Sequence, residues 1–149
     1  MEKKYKIDHI GLVVKDVEKT AKMLTNYLGI DDWSISTIEP PMLYNMEFYG
    51  KEVCHSFRIA VGQLSSISIE LLMPIKGESV YSEFLKLGRE GFHHICLTFS
   101  NNVELEEVKE ELIKKGGRII QSGIIKDRAF YWYIDKEGII LELLMRELK

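Results

Sequence analysis

Two short strings occur twice in this chain, and each copy carries a potential metal ligand at the same place. His-Ile-x-Leu occurs at residues 9–12 and 94–97, and Glu-Leu-Leu-Met occurs at 70–73 and 142–145. The potential ligands are, in chain order, His9, Glu70, His94 and Glu142. A repeated unit that contributes one imidazole and one carboxylate per copy can form a pseudo-twofold site. Two nitrogen and two oxygen ligands suit a divalent transition metal.

The side-chain parity of the repeated strands favours one shared site. Alternate side chains of a strand face opposite sides of the sheet, so His9 shares its face with Gly11, and His94 shares its face with Cys96. The two glutamates each interrupt a strand whose other face is aliphatic. A solvated sheet face would explain one such glutamate. Because a buried carboxylate without a partner is costly, the two repeated ones are better explained by a metal.

The remaining histidines and the cysteines are assigned other roles. His93 is adjacent to His94 and is predicted to point to the opposite face, since a bulge would be needed to bring it to the same site. His55 has no repeat partner and is a candidate either for supporting a metal ligand or for contacting the substrate. Cys96 could be a ligand, but a small buried residue is the favoured interpretation, and no CxxC pair or disulfide is expected.

Composition indicates a globular chain with an ordinary core. With 149 residues, 46% of them hydrophobic, the chain can bury one core or two small ones that share a sheet. The net charge of -3 provides no basic surface for nucleic acid. No apolar run reaches the roughly 20 residues that span a bilayer. The basic start of the chain leads straight into a strand-like segment rather than a signal peptide, so a cytoplasmic location is expected.

The hydrophobic pattern predicts an α+β fold made of two β-α-β-β-β modules. The predicted strands are 7–14, 33–38, 56–61 and 66–73, then 92–99, 118–122, 128–134 and 139–146. The predicted helices are 15–28 with Asp16 as N-cap, 79–87 with Ser79 as N-cap, and 103–115. The first module covers 1–74, a connecting helix and linker cover 75–91, and the second module covers 92–149.

The first module carries extra chain between its two ligands. The histidines are 94 − 9 = 85 positions apart and the glutamates 142 − 70 = 72, so the first copy is longer by 85 − 72 = 13 residues. The extra length falls in residues 38–54, which are apolar and contain Pro40-Pro41. This segment is predicted either to form a binding lid that brings Tyr44 to the substrate, or to pack over a sheet edge or a subunit contact.

These residues and the tandem modules resemble the vicinal oxygen chelate superfamily, which includes glyoxalase I, methylmalonyl-CoA epimerase, extradiol dioxygenases and bleomycin-type resistance proteins. The motifs that carry the resemblance are Asp-His-Ile-Gly at 8–11, Ile-Glu-Leu-Leu at 69–72, Gly-Phe-His-His-Ile-Cys at 91–96 and Leu-Glu-Leu at 141–143. The resemblance implies a curved, cup-shaped mixed sheet around a metal site. It also implies the ligands His9, Glu70, His94 and Glu142, bound to Co, Ni, Zn or Mn.

Within the superfamily, the segment from Glu70 to Cys96 is most similar to methylmalonyl-CoA epimerase. This resemblance implies a metal-dependent enzyme that stabilises an enolate and moves a proton next to a carbonyl. Glu142 would then double as the base. Glu52 lies near the position of a second epimerase acid/base group and is the candidate for that role. The Phe-Leu-His-Pro segment of epimerases is replaced here by Phe-Tyr-Trp-Tyr-Ile-Asp at 130–135.

Two alternatives from the same superfamily stay open. One is a glyoxalase I-like lactoylglutathione lyase, so the expected substrate is a small molecule such as an acyl-CoA or a glutathione thioester. The other is a resistance-type protein that binds a flat molecule without catalysis, in which Tyr131 and Tyr133 would stack on the ligand. Ordinary core packing is the plain alternative for these aromatic residues. A homodimer is expected, because modules of this kind leave sheet edges that favour pairing.

Overall fold

The computed structural model describes residues 4–146. The outer ends of the two predicted modules, and the first part of the basic N-terminal segment, therefore lie outside the described residues. Within 4–146, no helix is both long and apolar enough to cross a membrane.

The chain forms ten strands and three helices in the described part. The strands of the first half are β1 (Tyr5–Val13), β2 (Ser34–Ile38), β3 (Leu43–Phe48), β4 (Lys51–Glu52), β5 (Ser56–Leu64) and β6 (Ile67–Lys76). Those of the second half are β7 (Gly91–Phe99), β8 (Arg118–Ile125), β9 (Ala129–Lys136) and β10 (Ile139–Arg146). The helices are α1 (Val17–Leu28), α2 (Val80–Lys86) and α3 (Asn102–Lys114).

All ten strands belong to one curved mixed sheet in the order β2-β5-β6-β1-β7-β10-β9-β8-β3-β4. The two halves meet at its centre, where β1 and β7 pair antiparallel. Each of these central strands pairs in parallel with the last strand of its own half, β1 with β6 and β7 with β10. The predicted α+β class and cup-shaped mixed sheet are confirmed, whereas the module boundaries at residues 74 and 91 stay a prediction.

The helices pack on both sides of the sheet. Val17 and Ala21 of α1 pack with residues of β5 and β6 on the convex side, and Leu105 of α3 packs there against the second half. The short helix α2 instead packs on the concave side, where Val80 and Tyr81 join the largest core cluster. A buried amide fixes its start, because Val80 N–H donates to Gln121 Oε1 at 2.8 Å.

The predicted helix starts at Asp16 and Ser79 are confirmed. The Asp16 carboxylate accepts a hydrogen bond from Lys19 N–H at 3.0 Å, and Ser79 forms a reciprocal capping box with Ser82. The first helix ends at Gly29, whose φ of 73° is a left-handed conformation that glycine adopts without steric cost.

The extra segment of the first half forms strands rather than a lid. Strand β3 pairs antiparallel with β8, so residues of the first half extend the sheet of the second, and β4 pairs with β3 as a hairpin. This is the sheet-edge alternative named above. The sequence pattern hides the strand, because the pairing is irregular between Tyr44 and Glu47 and Asn45 has a φ of 50°. The buried residues Leu43 and Met46 are therefore three positions apart, which breaks the two-residue alternation of a regular strand.

Candidate metal centre

The predicted ligands lie in two rows that cross the centre of the sheet. In one row, Cys96 stands between His9 on β1 and Glu142 on β10. In the other, Gly11 stands between His94 on β7 and Glu70 on β6. Each row therefore reads histidine, small residue, glutamate, as the internal repeat requires.

The small residues leave room for the imidazole rings. A Cβ atom added at Gly11 would lie 2.1 Å from Cε1 of His94, so the ring occupies the volume that any larger residue would fill. Gly11 is needed here for close approach rather than for backbone conformation.

Three of the four predicted ligands converge on one point. His9 Nε2 is 3.3 Å from His94 Nε2 and 3.1 Å from Glu142 Oε1, and His94 Nε2 is 3.5 Å from the same oxygen. Donors about 2.0–2.2 Å from one metal ion lie roughly 3.0–3.5 Å from each other in tetrahedral or octahedral geometry. The three side chains are buried, and their spacing fits one divalent cation.

Glu70 is close to this group but contacts a different atom. Its Oε2 lies 2.8 Å from His9 Nδ1, on the side of the ring away from His94 and Glu142. The structure thus brings three of the four predicted ligands to one point and places the fourth carboxylate behind His9.

Asp8 and Arg146 support His9 from the same side. Asp8 Oδ2 is 2.7 Å from His9 Nδ1, and the Arg146 guanidinium donates two hydrogen bonds to the Asp8 carboxylate. A carboxylate on the outer nitrogen of a ligating histidine fixes its tautomer and orientation. In the sequence, Asp8 is part of a motif and nothing marks Arg146, because β10 brings this arginine close only after folding.

The charges around His9 show that the centre attracts a cation. Burial alone would lower the pKa of His9, but the Glu70 charge and the Asp8 hydrogen bond raise it well above its usual value. Burial would raise the pKa of Glu142, yet its hydrogen bond with His9 holds it far below its ordinary range. Burial likewise opposes ionisation of Asp8, and its bonds to His9 and Arg146 lower its pKa to about 2. Three carboxylates, those of Asp8, Glu70 and Glu142, surround His9, and this concentration of negative charge is suited to a cation.

The prediction for His93 is wrong, because strand β7 contains the bulge that would be needed. Gly11 pairs with His94 but Leu12 pairs with Phe92, so His93 is an extra residue in the ladder. Its ring lies on the concave side, against Phe84 of α2 and Tyr133 of β9. Its Nδ1 is 2.9 Å from Nδ1 of His94. The bulge thus places a second imidazole directly behind a candidate ligand.

A cavity of about 230 Å³ opens from the centre along the concave face. Its walls are mostly apolar, and two arginines and two serines also line it. The apolar lining residues are Ile38, Phe57, Ile59, Val61, Leu72, Ile125, Ala129 and Leu144, and the polar ones include Ser34, Ser36, Arg128 and Arg146. His9, Glu70 and Glu142 form the polar end. This is the form of a small-molecule site, with apolar walls and a few convergent polar groups.

The predicted substrate contacts divide between two places. Tyr131 and Tyr133 line the cavity, and both are almost fully buried. The Tyr133 hydroxyl is 2.8 Å from that of Tyr81, and the Tyr131 hydroxyl accepts a bond from Gln121. Their binding role stays a prediction.

Tyr44 and Glu52 are not brought to the cavity. Both residues line a separate surface groove beside the β3-β4 hairpin, and Glu52 is exposed on the edge strand β4. They lie elsewhere because the inserted segment forms an outer part of the sheet instead of folding over the cup.

His55 also lies outside the centre. It is buried, stacks near Phe57 at 6.1 Å between ring centroids, and has no hydrogen-bond partner in the described structure for either ring nitrogen. It does not line the main cavity. Burial lowers its pKa to about 4, so it is neutral at pH 7.

Part of this sequence is similar to methylmalonyl-CoA epimerases. The bovine mitochondrial methylmalonyl-CoA epimerase is 28% identical over 111 residues, which cover 73% of this chain and 55% of the bovine protein. The chain therefore matches about half the length of that relative.

Solved structures show the same fold at lower identity. The methylmalonyl-CoA epimerase from Mycobacterium tuberculosis superposes with a TM-score of 0.65 at 19% identity, covering 95% of this chain and 88% of that one. A Streptomyces coelicolor methylmalonyl-CoA epimerase variant in complex with 2-nitronate-propionyl-CoA gives a TM-score of 0.62 at 18% identity, covering 96% and 95%.

The family assignment follows from a match over most of the chain. Residues 8–133, which include both histidine strings and Glu70, match the family model described as the glyoxalase/bleomycin resistance protein/dioxygenase superfamily. The curved sheet agrees with this match, and both histidine strings of the predicted ligand set lie within the matched residues. The chain belongs to the glyoxalase/bleomycin resistance protein/dioxygenase superfamily.

Proposed function

We propose that the protein is a divalent-metal-dependent enzyme of the epimerase or glyoxalase type, which moves a proton on the carbon next to a carbonyl. One observation carries this proposal: three buried donor atoms of His9, His94 and Glu142 converge at the polar end of an otherwise mostly apolar cavity. Imidazole and carboxylate donors suit Co, Ni, Zn or Mn. When bound, such an ion acts as a Lewis acid on the carbonyl oxygen and stabilises the enolate charge.

The carboxylates of the site provide the proton transfer. Glu142 removes the proton from carbon, and the C–H electron pair moves toward the carbonyl to give the enolate. Among the described residues that line the cavity, Glu70 is the other carboxylate, and it lies on the opposite side of His9. We assign to Glu70, in its protonated form, the donation of a second proton to the other face of the enolate, the role predicted for Glu52, and Glu142 passes the proton that it removed to solvent. The apolar walls keep water from the enolate.

We propose an acyl-CoA thioester as the substrate. Support comes from the epimerase relatives and from the fold neighbour that holds 2-nitronate-propionyl-CoA. The cavity fits the acyl end of such a molecule, because its walls are apolar and its inner end carries the metal donors. Arg128 and Arg146 also line it and can bind an anionic group of the substrate.

Proton exchange in D2O tests this proposal. The metal-loaded protein is incubated with a panel of acyl-CoA thioesters, and deuterium on the carbon next to the carbonyl and inversion at that carbon are followed by NMR. Glu142→Gln should abolish exchange, because the variant loses a metal donor as well as the base. Glu70→Gln should retain exchange but lose inversion if Glu70 protonates the opposite face. If Glu52→Gln lost inversion to the same extent as Glu70→Gln, Glu52 would be the second acid/base group, as predicted from the sequence.

The same experiment separates the other members of the superfamily. Turnover of glutathione hemithioacetals with no exchange on any thioester would favour the lyase. A resistance-type protein would bind planar ligands tightly in the presence of a chelator, would lose that binding when Tyr131 or Tyr133 is truncated, and would show no exchange. This result would contradict the proposal.

Sedimentation of the purified protein tests the predicted homodimer.

A further inference from the structure

The bulge in β7 buries two adjacent imidazoles side by side. His93 and His94 are 4% and 0% exposed, and their Nδ1 atoms are 2.9 Å apart. Two nitrogens at this distance form a hydrogen bond, in which one atom carries the proton and the other accepts it. The direction of this bond decides which nitrogen of His94 has a free lone pair.

The metal site requires one direction of that bond. His94 Nε2 faces His9 Nε2 and Glu142 Oε1, so this nitrogen must offer a lone pair to bind a cation. The proton of the neutral ring then belongs on Nδ1, which donates to Nδ1 of His93. His9 has an equivalent arrangement, since its outer nitrogen faces Asp8.

Neighbouring rings hold His93 in place for this task. Its ring centroid lies 5.0 Å from that of Phe84, 6.2 Å from that of Tyr81 and 5.9 Å from that of Tyr133. Phe84 and Tyr81 both belong to α2, the helix on the concave side. The ring is confined on several sides, so its accepting nitrogen has a fixed position.

We propose that His93 is a positioning residue of the metal centre. It accepts the Nδ1 proton of His94, keeps the Nε2 lone pair directed at the site, and so raises metal affinity without touching the ion. Groups that orient a ligating histidine in this way contribute about 10- to 100-fold to metal affinity in other proteins. The inference rests on the metal site proposed above.

The proposal is tested by measuring the Co²⁺ affinity of the metal-free protein in competition with a chromophoric chelator. His93→Leu removes the acceptor and should weaken Co²⁺ binding by about 10- to 100-fold. His93→Asn keeps an acceptor oxygen near the place of Nδ1 and should recover most of that loss. Phe84→Leu removes one of the three rings around His93 but leaves Tyr81, Tyr133 and the hydrogen bond, so it should weaken Co²⁺ binding less than His93→Leu does.

Each contrary result overturns the proposal. Unchanged affinity in His93→Leu would show that the bond has no effect. An equal loss in His93→Asn or in Phe84→Leu would show that bulk or packing matters instead of the acceptor. Long-range ¹H–¹⁵N correlation NMR locates the ring proton of His94 in the metal-free wild type, without a variant and without metal. A proton on Nε2 would contradict the assigned tautomer. Failure of the wild type to bind metal would overturn the metal site and the role of His93 together, whereas normal wild-type binding with unchanged affinity in His93→Leu would overturn the role of His93 alone.

Discussion

At the scale of single residues, the two repeated glutamates have equivalent sheet positions but different contacts. Glu142 Oε1 lies 3.1 Å from His9 Nε2 and 3.5 Å from His94 Nε2, whereas Glu70 Oε2 contacts the outer nitrogen of His9. We expect Glu142→Gln to weaken zinc binding more than Glu70→Gln, because only Glu142 completes the group of converging donors. Isothermal titration of the metal-free variants measures the difference. Equal losses would instead support the four-ligand set predicted from the repeat.

His55 should make the protein less stable in mild acid. Its pKa falls from 6.5 to about 4 on folding because of burial, so between these values the unfolded chain binds a proton that the folded chain does not. Stability therefore decreases as the pH falls from 6.5 to 4, by about 3 kcal/mol at most for this group. In His55→Leu this contribution should be absent, which urea unfolding at pH 7 and pH 4 can measure. Phe57→Leu, which keeps His55, is the control and should keep the acid sensitivity of the wild type. The same acid sensitivity in His55→Leu would show that His55 does not cause it.

At the scale of secondary structure, the β3-β4 hairpin is a part of the sheet. Leu43 is fully buried in β3, and its neighbour Tyr44 is 39% exposed. We expect Leu43→Ala to lower the free energy of unfolding by about 2–5 kcal/mol, and Tyr44→Ala to change it by only about 0.5 kcal/mol. Amides of β3 should exchange as slowly as those of β8 in the absence of ligand. If the β3 amides exchanged fast and Leu43→Ala did not lower the free energy of unfolding, the segment would instead be a mobile lid.

The predictable elements are those with a regular pattern or a repeat. Strand β6 alternates cleanly, and helix α1 has both its Asp16 cap and its Gly29 stop, so local signals are sufficient for them. The hairpin was missed because the irregular pairing near Asn45 breaks the alternation. The His93 bulge was missed because it arises from the pairing of β7 with β1, which depends on residues far apart in the chain.

The candidate site was predictable to a similar extent. His9, His94 and the two glutamates are marked by the internal repeat. Arg146 and Asp8 meet only when β10 and β1 come together, so their spacing in sequence carries no signal. Glu52 lies outside the cavity for a different reason. It belongs to the inserted segment, which has no counterpart in the second half, so the repeat does not indicate its place in the fold.

At the scale of the whole molecule, metal binding should stabilise the fold. The donors come from three strands of both halves, and an ion that binds only the folded chain adds about 2.7 kcal/mol at a free concentration of 100 times Kd. For a chain of this size, we expect the Tm to rise by roughly 5–10 °C. Differential scanning calorimetry with Zn²⁺, then with excess chelator, measures this shift. A shift of equal size in His94→Ala would mean that the ion binds elsewhere.

The pairing of β3 with β8 also has a consequence for the order of events during synthesis. Residues 43–48 leave the ribosome well before residues 118–125, the strand on which they come to lie. Until then the nascent first half exposes a strand with buried-type side chains such as Leu43 and Met46 and with unpaired backbone groups. The first half therefore cannot reach its final form before most of the second is made. Growing chains on crowded polysomes are exposed to association through this strand, and translation pauses before residue 118 would lengthen that exposure.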